Sequence, residues 1–168
     1  VHPVYVTQRP ADQIDAALDY LADHLAAADL VGEAGLDYQW ATDAAQQARQ
    51  DQVLHRQFEL AHQHGRPVNL HSRRCLRQVM ERAITFTRAT GLGAQLHWFT
   101  HSRKLIRQTN EAGVYVSVGP SLLVDEQVQA AAAAIADDLL LLETDAPVSI
   151  AGRQGHPRLI REVAAKLA

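Results

Sequence analysis

The sequence predicts an α/β fold built on a parallel sheet, and three observations carry that reading. Apolar runs of strand length alternate with longer stretches whose apolar residues recur at helical spacing. The run 139–142 is leucine throughout, as expected of a strand covered on both faces. Gly and Pro punctuate the boundaries, as at Gly65-Arg66-Pro67 and Gly119-Pro120. About five strands with outer helices are too few to close an eight-stranded barrel, so the sheet is expected to be open or incomplete.

The elements follow in order. A helix over 12–28 places Ile14, Ala17, Leu18, Leu21 and Leu25 on one face, with Pro10 ahead of its first turn. A short buried strand at 30–33 comes next. Asp43 is a candidate N-cap for a long helix reaching His64, with Val53, Leu54, Phe58 and Ala61 inward and Gly65 as its stop. The second strand covers 67–71, and the helix after it carries Leu76, Val79, Met80, Ala83 and Ile84. Gly91 and Gly93 mark the turn into a third strand at 95–99; a helix holding Leu105 and Ile106 then ends near Gly113. The β-branched and aromatic run 114–118 is the fourth strand. The alanine-rich stretch 125–136 is expected to be helix and not linker, because Ala is the best helix former. After the fifth strand at 139–142, a helix over 157–167 turns Leu159, Ile160, Val163 and Leu167 inward.

Composition narrows the function. At 168 residues with 47% apolar content, the chain suits a single domain over 1–168. Cys75 is the only cysteine, which forbids an internal disulfide and removes multi-cysteine metal sites. Any metal must bind through His, Asp or Glu. No apolar run approaches the ~20 residues of a membrane span, and Val1-His2-Pro3 lacks the basic and apolar regions of a signal peptide, so the expected location is cytoplasmic. A net charge of -3 argues against broad electrostatic capture of nucleic acid. It does not exclude a nuclease, whose cleft can carry a local potential of the opposite sign.

Four strand-like runs end on a potential ligand: Val31-Gly32-Glu33, the run from Pro67 to His71, Gln95-Leu96-His97, and the leucine run followed by Glu143-Thr144-Asp145. In a barrel of parallel strands the carboxyl ends share one face, so Glu33, His71, His97 and Asp145 are expected to converge. Two carboxylates and two imidazoles suit a divalent ion and hydrolysis. A shared cation also offsets the several kcal/mol that unpaired buried charge would cost. His24, His55, His62 and His64 lie in helix-like stretches and are expected at the surface.

At these residues the chain resembles the TatD family of metal-dependent deoxyribonucleases, relatives of the amidohydrolase superfamily. Gly32-Glu33-Ala34-Gly35-Leu36-Asp37-Tyr38 is similar to the family's G-E-x-G-L-D-Y segment. The stretch from Pro67 to Arg73 resembles P-V-x-x-H-S-R, and Glu143-Thr144-Asp145-Ala146-Pro147 resembles E-T-D-x-P. Weaker similarities are His2-Pro3 to G-x-H-P and Val116-Ser117-Val118-Gly119. The resemblance implies a TIM barrel and cleavage of DNA phosphodiesters by metal-activated water, with an exonuclease as the expected mode. It implies two divalent ions, Mg, Mn or Zn, with DNA as the partner. Glu33 would bridge the ions, His71 and His97 would hold one, and Asp145 would hold the other while orienting or deprotonating the attacking water. Glu33 and Asp145 are thus the expected catalytic residues. Arg73, two residues past His71, is placed to meet phosphate oxygens.

Two departures from the family pattern bear on function. The H-C-F-S-G-S stretch is His97-Trp98-Phe99-Thr100-His101-Ser102 here, so His101 stands where the family has Gly and is a candidate substrate contact. The family's H-x-H pair does not occur before Glu33. The chain is therefore expected to be a piece of a longer protein that lacks the first barrel strands and part of the C-terminal end, with little activity alone. Two other readings stand beside this one: a related hydrolase of a carboxyl ester, lactone or amide, and a non-catalytic remnant domain.

Overall fold

The computed structural model describes residues 1–99 and 103–168. The chain divides into two compact units, Val1–Leu96 and His97–Ala168. The first holds α1 (Pro3–Gln8), α2 (Ala11–His24), β1 (Val31–Asp37), α3 (Ala44–Gln63), β2 (Val68–Arg73), α4 (Leu76–Thr90) and β3 (Ala94–Leu96). The second holds α5 (Arg103–Ala112), β4 (Tyr115–Val118), α6 (Glu126–Ala132), β5 (Leu140–Leu142) and α7 (Ile160–Leu167). β1 pairs with β2, β2 with β3, and β4 with β5, each in parallel. Parallel strands with an intervening helix are the α/β architecture that the alternation of apolar runs predicts.

Local chemistry sets the boundaries of the long helices. The Asp43 carboxylate accepts the Gln46 N–H at 2.8 Å and starts α3 as an N-cap. Gly91, at φ 71°, ends α4 in the left-handed conformation that a C-terminal glycine favours. Val53 of α3 packs with Val6 and Ile14, which seals α1 and α2 onto that helix.

Several segments differ from expectation. α1 is an additional helix, hidden in the sequence by the β-branched residues of Val4-Tyr5-Val6. Pro3 at its first position and His2, whose Nδ1 accepts the Val4 N–H, start it. β1 does not stop at Glu33 but continues to Asp37, and β2 runs past His71 to Arg73, so both predicted ligands lie within strands. β3 ends at Leu96 instead of Phe99, where Trp98 enters the left-handed region at φ 49°. The alanine-rich helix spans only Glu126–Ala132. β5 is not covered on both faces: Leu141 and Leu142 are 38% and 37% exposed. A wholly apolar run records composition and not coverage. No described helix is long and apolar enough to cross a membrane.

Gly35 is the residue that the strand pairing cannot replace. It lies opposite His71 in the β1–β2 register at φ 140°, and a Cβ there would fall 2.1 Å from the His71 carbonyl oxygen. Any side chain must push β1 off β2 or force a disfavoured backbone. Gly35→Ala is expected to lower unfolding free energy by at least ~2 kcal/mol, the range of steric and backbone lesions in packed strands. Urea denaturation checks this, and a change below ~0.5 kcal/mol, the size of a neutral surface substitution, would contradict it.

Candidate metal centre

The β1–β2 register builds the first cluster. Val31 pairs with Val68 and Ala34 with Leu70, so three steps along β1 answer two along β2, and the irregularity falls at Gly32-Glu33. Glu33 and Asp37 flank Gly35 two residues to either side, opposite His71. The imidazole spans the gap between the two carboxylates. His71 Nδ1 lies 2.9 Å from Glu33 Oε1, and His71 Nε2 donates to Asp37 Oδ2 at 3.0 Å.

Asp37 is the anchor of this arrangement. Its side chain is 2% exposed, and its second oxygen accepts the N–H groups of Gln39 at 2.9 Å and Trp40 at 3.2 Å. Buried Gln50 fixes the backbone beside it: Gln50 Oε1 accepts the Asp37 N–H at 2.8 Å, while Nε2 donates to Pro3 O and Thr7 Oγ1. One amide thus joins α1, α3 and the end of β1.

Among the described residues, His2, Glu33 and His71 present ligand atoms within 4.8 Å of one another. Two donors on one ion with bonds of ~2.1 Å can stand at most ~4.2 Å apart. The 2.9 Å between His71 Nδ1 and Glu33 Oε1 and the 3.6 Å between His2 Nε2 and Glu33 Oε1 both fit. The mixed imidazole and carboxylate set suits a divalent ion of borderline hardness. His2 carries a further constraint: its Nδ1 accepts the Val4 N–H at 3.1 Å, so a neutral ring bears its proton on Nε2 and faces Glu33 as a donor.

The second unit repeats the pattern. Glu143 follows β5, and its N–H donates to Val118 O of β4 at 3.1 Å. Its carboxylate accepts from His97 Nδ1 at 2.5 Å and from the Trp98 N–H at 2.6 Å. The left-handed turn at Trp98 allows that second bond, and Trp98 N also lies 3.3 Å from Ser117 Oγ. His97 Nε2 then faces Asp145 Oδ1 at 3.7 Å, again within the span of two donors on one ion. Asp145 sits at φ 47°, a conformation that costs an ordinary residue roughly 1 kcal/mol or more and that clusters at functional sites.

The structure therefore brings Glu33 to His71 and His97 to Asp145. Arg73 is exposed at the end of β2. His101 lies outside the described residues. His24, His55, His62 and His64 are exposed, as their helical positions predict. Cys75 is buried, its Sγ donates to Leu36 O at 3.2 Å, and burial raises its pKa, so it keeps the proton that a metal ligand must lose.

Sequence reasoning did not assign roles to Asp37, Glu143 or His2, although all three stand in the quoted segments. The signal for Asp37 was period-two spacing from Glu33 through Gly35, which places alternate residues on one face of a strand. Ending the strand at Glu33 hid it. Gln50→Leu is expected to cost ~1–3 kcal/mol, because it removes the Gln50 acceptor of the buried Asp37 N–H and the bonds from its amide to α1. Chemical denaturation checks this, and a change within ~0.5 kcal/mol would contradict the network.

Comparison with known proteins agrees with these motifs. The model of the TatD related DNase family matches residues 1–168. The chain is 28% identical over 144 residues to YcfH of Escherichia coli (strain K12), named an uncharacterized metal-dependent hydrolase, covering 82% of this chain and 53% of that protein. It is 31% identical over 159 residues to deoxyribonuclease TATDN3 of Homo sapiens, covering 88% of this chain and 56% of the relative. Among solved structures, YJJV, a TatD homolog from Escherichia coli K12, superposes with a TM-score of 0.82 at 27% identity, over 99% of this chain and 65% of that one. The chain spans a little over half the length of these two curated relatives.

Proposed function

The chain belongs to the TatD related DNase family, and from that premise we propose that it supplies the metal ligands of a hydrolase that cleaves phosphodiester bonds of DNA. One observation carries the reading. Glu33 Oε1 and His71 Nδ1 stand 2.9 Å apart, while the other nitrogen of that imidazole is held by a buried carboxylate. Metal-ligating histidines are characteristically held this way, with the free ring nitrogen turned to the ion.

The roles follow from donor chemistry. Glu33 and His71 are ligands from the first unit, and His97 and Asp145 are ligands from the second. Two ions, Mg, Mn or Zn, are the proposed complement, and the anionic Glu33 carboxylate would help to hold them. A divalent ion, when bound, acts as a Lewis acid on phosphoryl oxygens and makes water acidic enough to attack near neutral pH. Asp145 would hold such an ion and orient or deprotonate the attacking water. His2, with a donor at Nε2, suits a phosphoryl oxygen. Arg73 presents a guanidinium to the substrate phosphate, and His101 contributes a further substrate contact. The name of TATDN3 supports DNA as substrate. Cleavage from a strand end, and a cytoplasmic location, are parts of the proposal that rest on the sequence reading.

In the protein that carries this chain, Glu33→Gln is expected to cut Mn-dependent hydrolysis of single-stranded DNA by ~10²-fold or more, because a neutral amide replaces an anionic ligand. Product analysis with free and blocked ends is expected to show that a blocked end protects. Undiminished hydrolysis by Glu33→Gln, or faster cleavage of a carboxyl ester than of the phosphodiester, would overturn the assignment.

A further inference from the structure

We propose that an apolar pocket beside Asp145, walled by the loops that follow β4 and β5, seats one base of the DNA strand next to the phosphate that is cut. This inference rests on the phosphodiester reading above and deepens it, by naming the contact that separates DNA from a bare phosphate ester.

The pocket lies wholly in the second unit. Pro120, Leu123 and Val124, past β4, form one wall; Val148 and Ile150, past β5, form the other, and Leu159 also lines it. β4 and β5 are parallel, so both loops leave the sheet at the end where Asp145 lies. Val148 stands three residues past Asp145, and its N–H donates to the Asp145 carbonyl at 2.9 Å. The first wall also reaches back to the candidate ligands. A Cβ on Gly119, which precedes Pro120, would stand 3.5 Å from the Trp98 indole and 3.6 Å from Glu143 Cγ. The pocket thus continues from the His97 and Asp145 cluster.

Its chemistry selects the occupant. The volume is about 110 Å³, and an enclosed apolar cavity of ~150 Å³ holds one benzene, so this open pocket suits a single flat ring. Val124 and Val148 are 61% and 46% exposed, which leaves apolar surface uncovered beside a polar site. Among the described residues, Arg153 is the charged group in the lining, and Glu162 takes both its terminal nitrogens, at 2.7 and 2.5 Å. That pair leaves no net charge to draw a phosphate into the pocket. The fork also fixes the guanidinium plane, whose face can stack on a base.

The walls are preformed. Ile150 and Arg153 exchange backbone hydrogen bonds of 3.0 and 2.9 Å around Ala151 and Gly152, whose positive φ values suit a tight hairpin turn. Gly155 passes so close to Val148 that a Cβ there would fall 2.2 Å from the Val148 carbonyl oxygen. A base therefore meets a surface that needs little ordering to bind it.

The test uses the protein that carries this chain and short single-stranded DNA from which one base at a time is removed to leave an abasic sugar. Removal at one position beside the cleaved bond is expected to raise KM at least ~5-fold, the lower end of what one stacked base contributes, and that penalty is expected to fall below ~2-fold in Val124→Ser combined with Val148→Ser. With the wild-type protein, a strand carrying a photoreactive diazirine on that base is expected to cross-link within 120–124 or 148–153. Cross-links confined to other segments, or a KM indifferent to base removal at every position, would overturn the proposal, and these wild-type measurements decide it even if the variant fails to fold. A folded variant that keeps the full abasic penalty would overturn it as well. DNA cleavage without the penalty would remove only the pocket, whereas a protein that cuts no DNA would remove the phosphodiester reading along with it.

Discussion

The first unit depends on one imidazole laid across a glycine. His71 lies opposite Gly35, and the carboxylates on either side of that glycine take the two ring nitrogens. A side chain at position 35 would collide with the β2 backbone. The pairing of β1 with β2 and the geometry of the candidate ligands are therefore one constraint and not two. Backbone sterics set the distance between strands, and that distance sets the reach between Glu33, His71 and Asp37.

The second unit meets the same chemical demand by other means. Where β1 uses strand register, the segment after β3 uses a left-handed turn at Trp98 that brings a backbone N–H and the His97 ring to one carboxylate. Asp145 is also left-handed and lies in the loop after β5. Among the described residues, Arg74 and Ala151 share this left-handed backbone with Trp98 and Asp145, while α3 starts on the Asp43 cap and α4 ends on Gly91. Such strain persists only where the surrounding bonds over-determine it.

Much of this was legible in the residues. Asp43 and Gly91 bracket helices by local rules, because capping needs only a few neighbouring atoms. Glu33, His71, His97 and Asp145 were recognisable as ligand types because each follows an apolar run. Asp37 and Glu143 were not, since their roles depend on which nitrogen of a ring they meet across tens of residues. Strand ends were the weakest part of the reading. β1 extends past Glu33 because Gly35 permits close pairing, and β3 stops early because Trp98 turns, neither of which propensity reveals. His2 was obscured because it serves as both helix cap and cluster member.

The most direct measurement is anomalous X-ray diffraction from crystals of the protein grown with manganese. The account predicts a peak within about 2.3 Å of both Glu33 and His71 Nδ1, with Asp37 on the far side of the ring and not bonded to the ion. A map with no peak at Glu33, or with manganese on Asp37 and His71 Nε2, would contradict it.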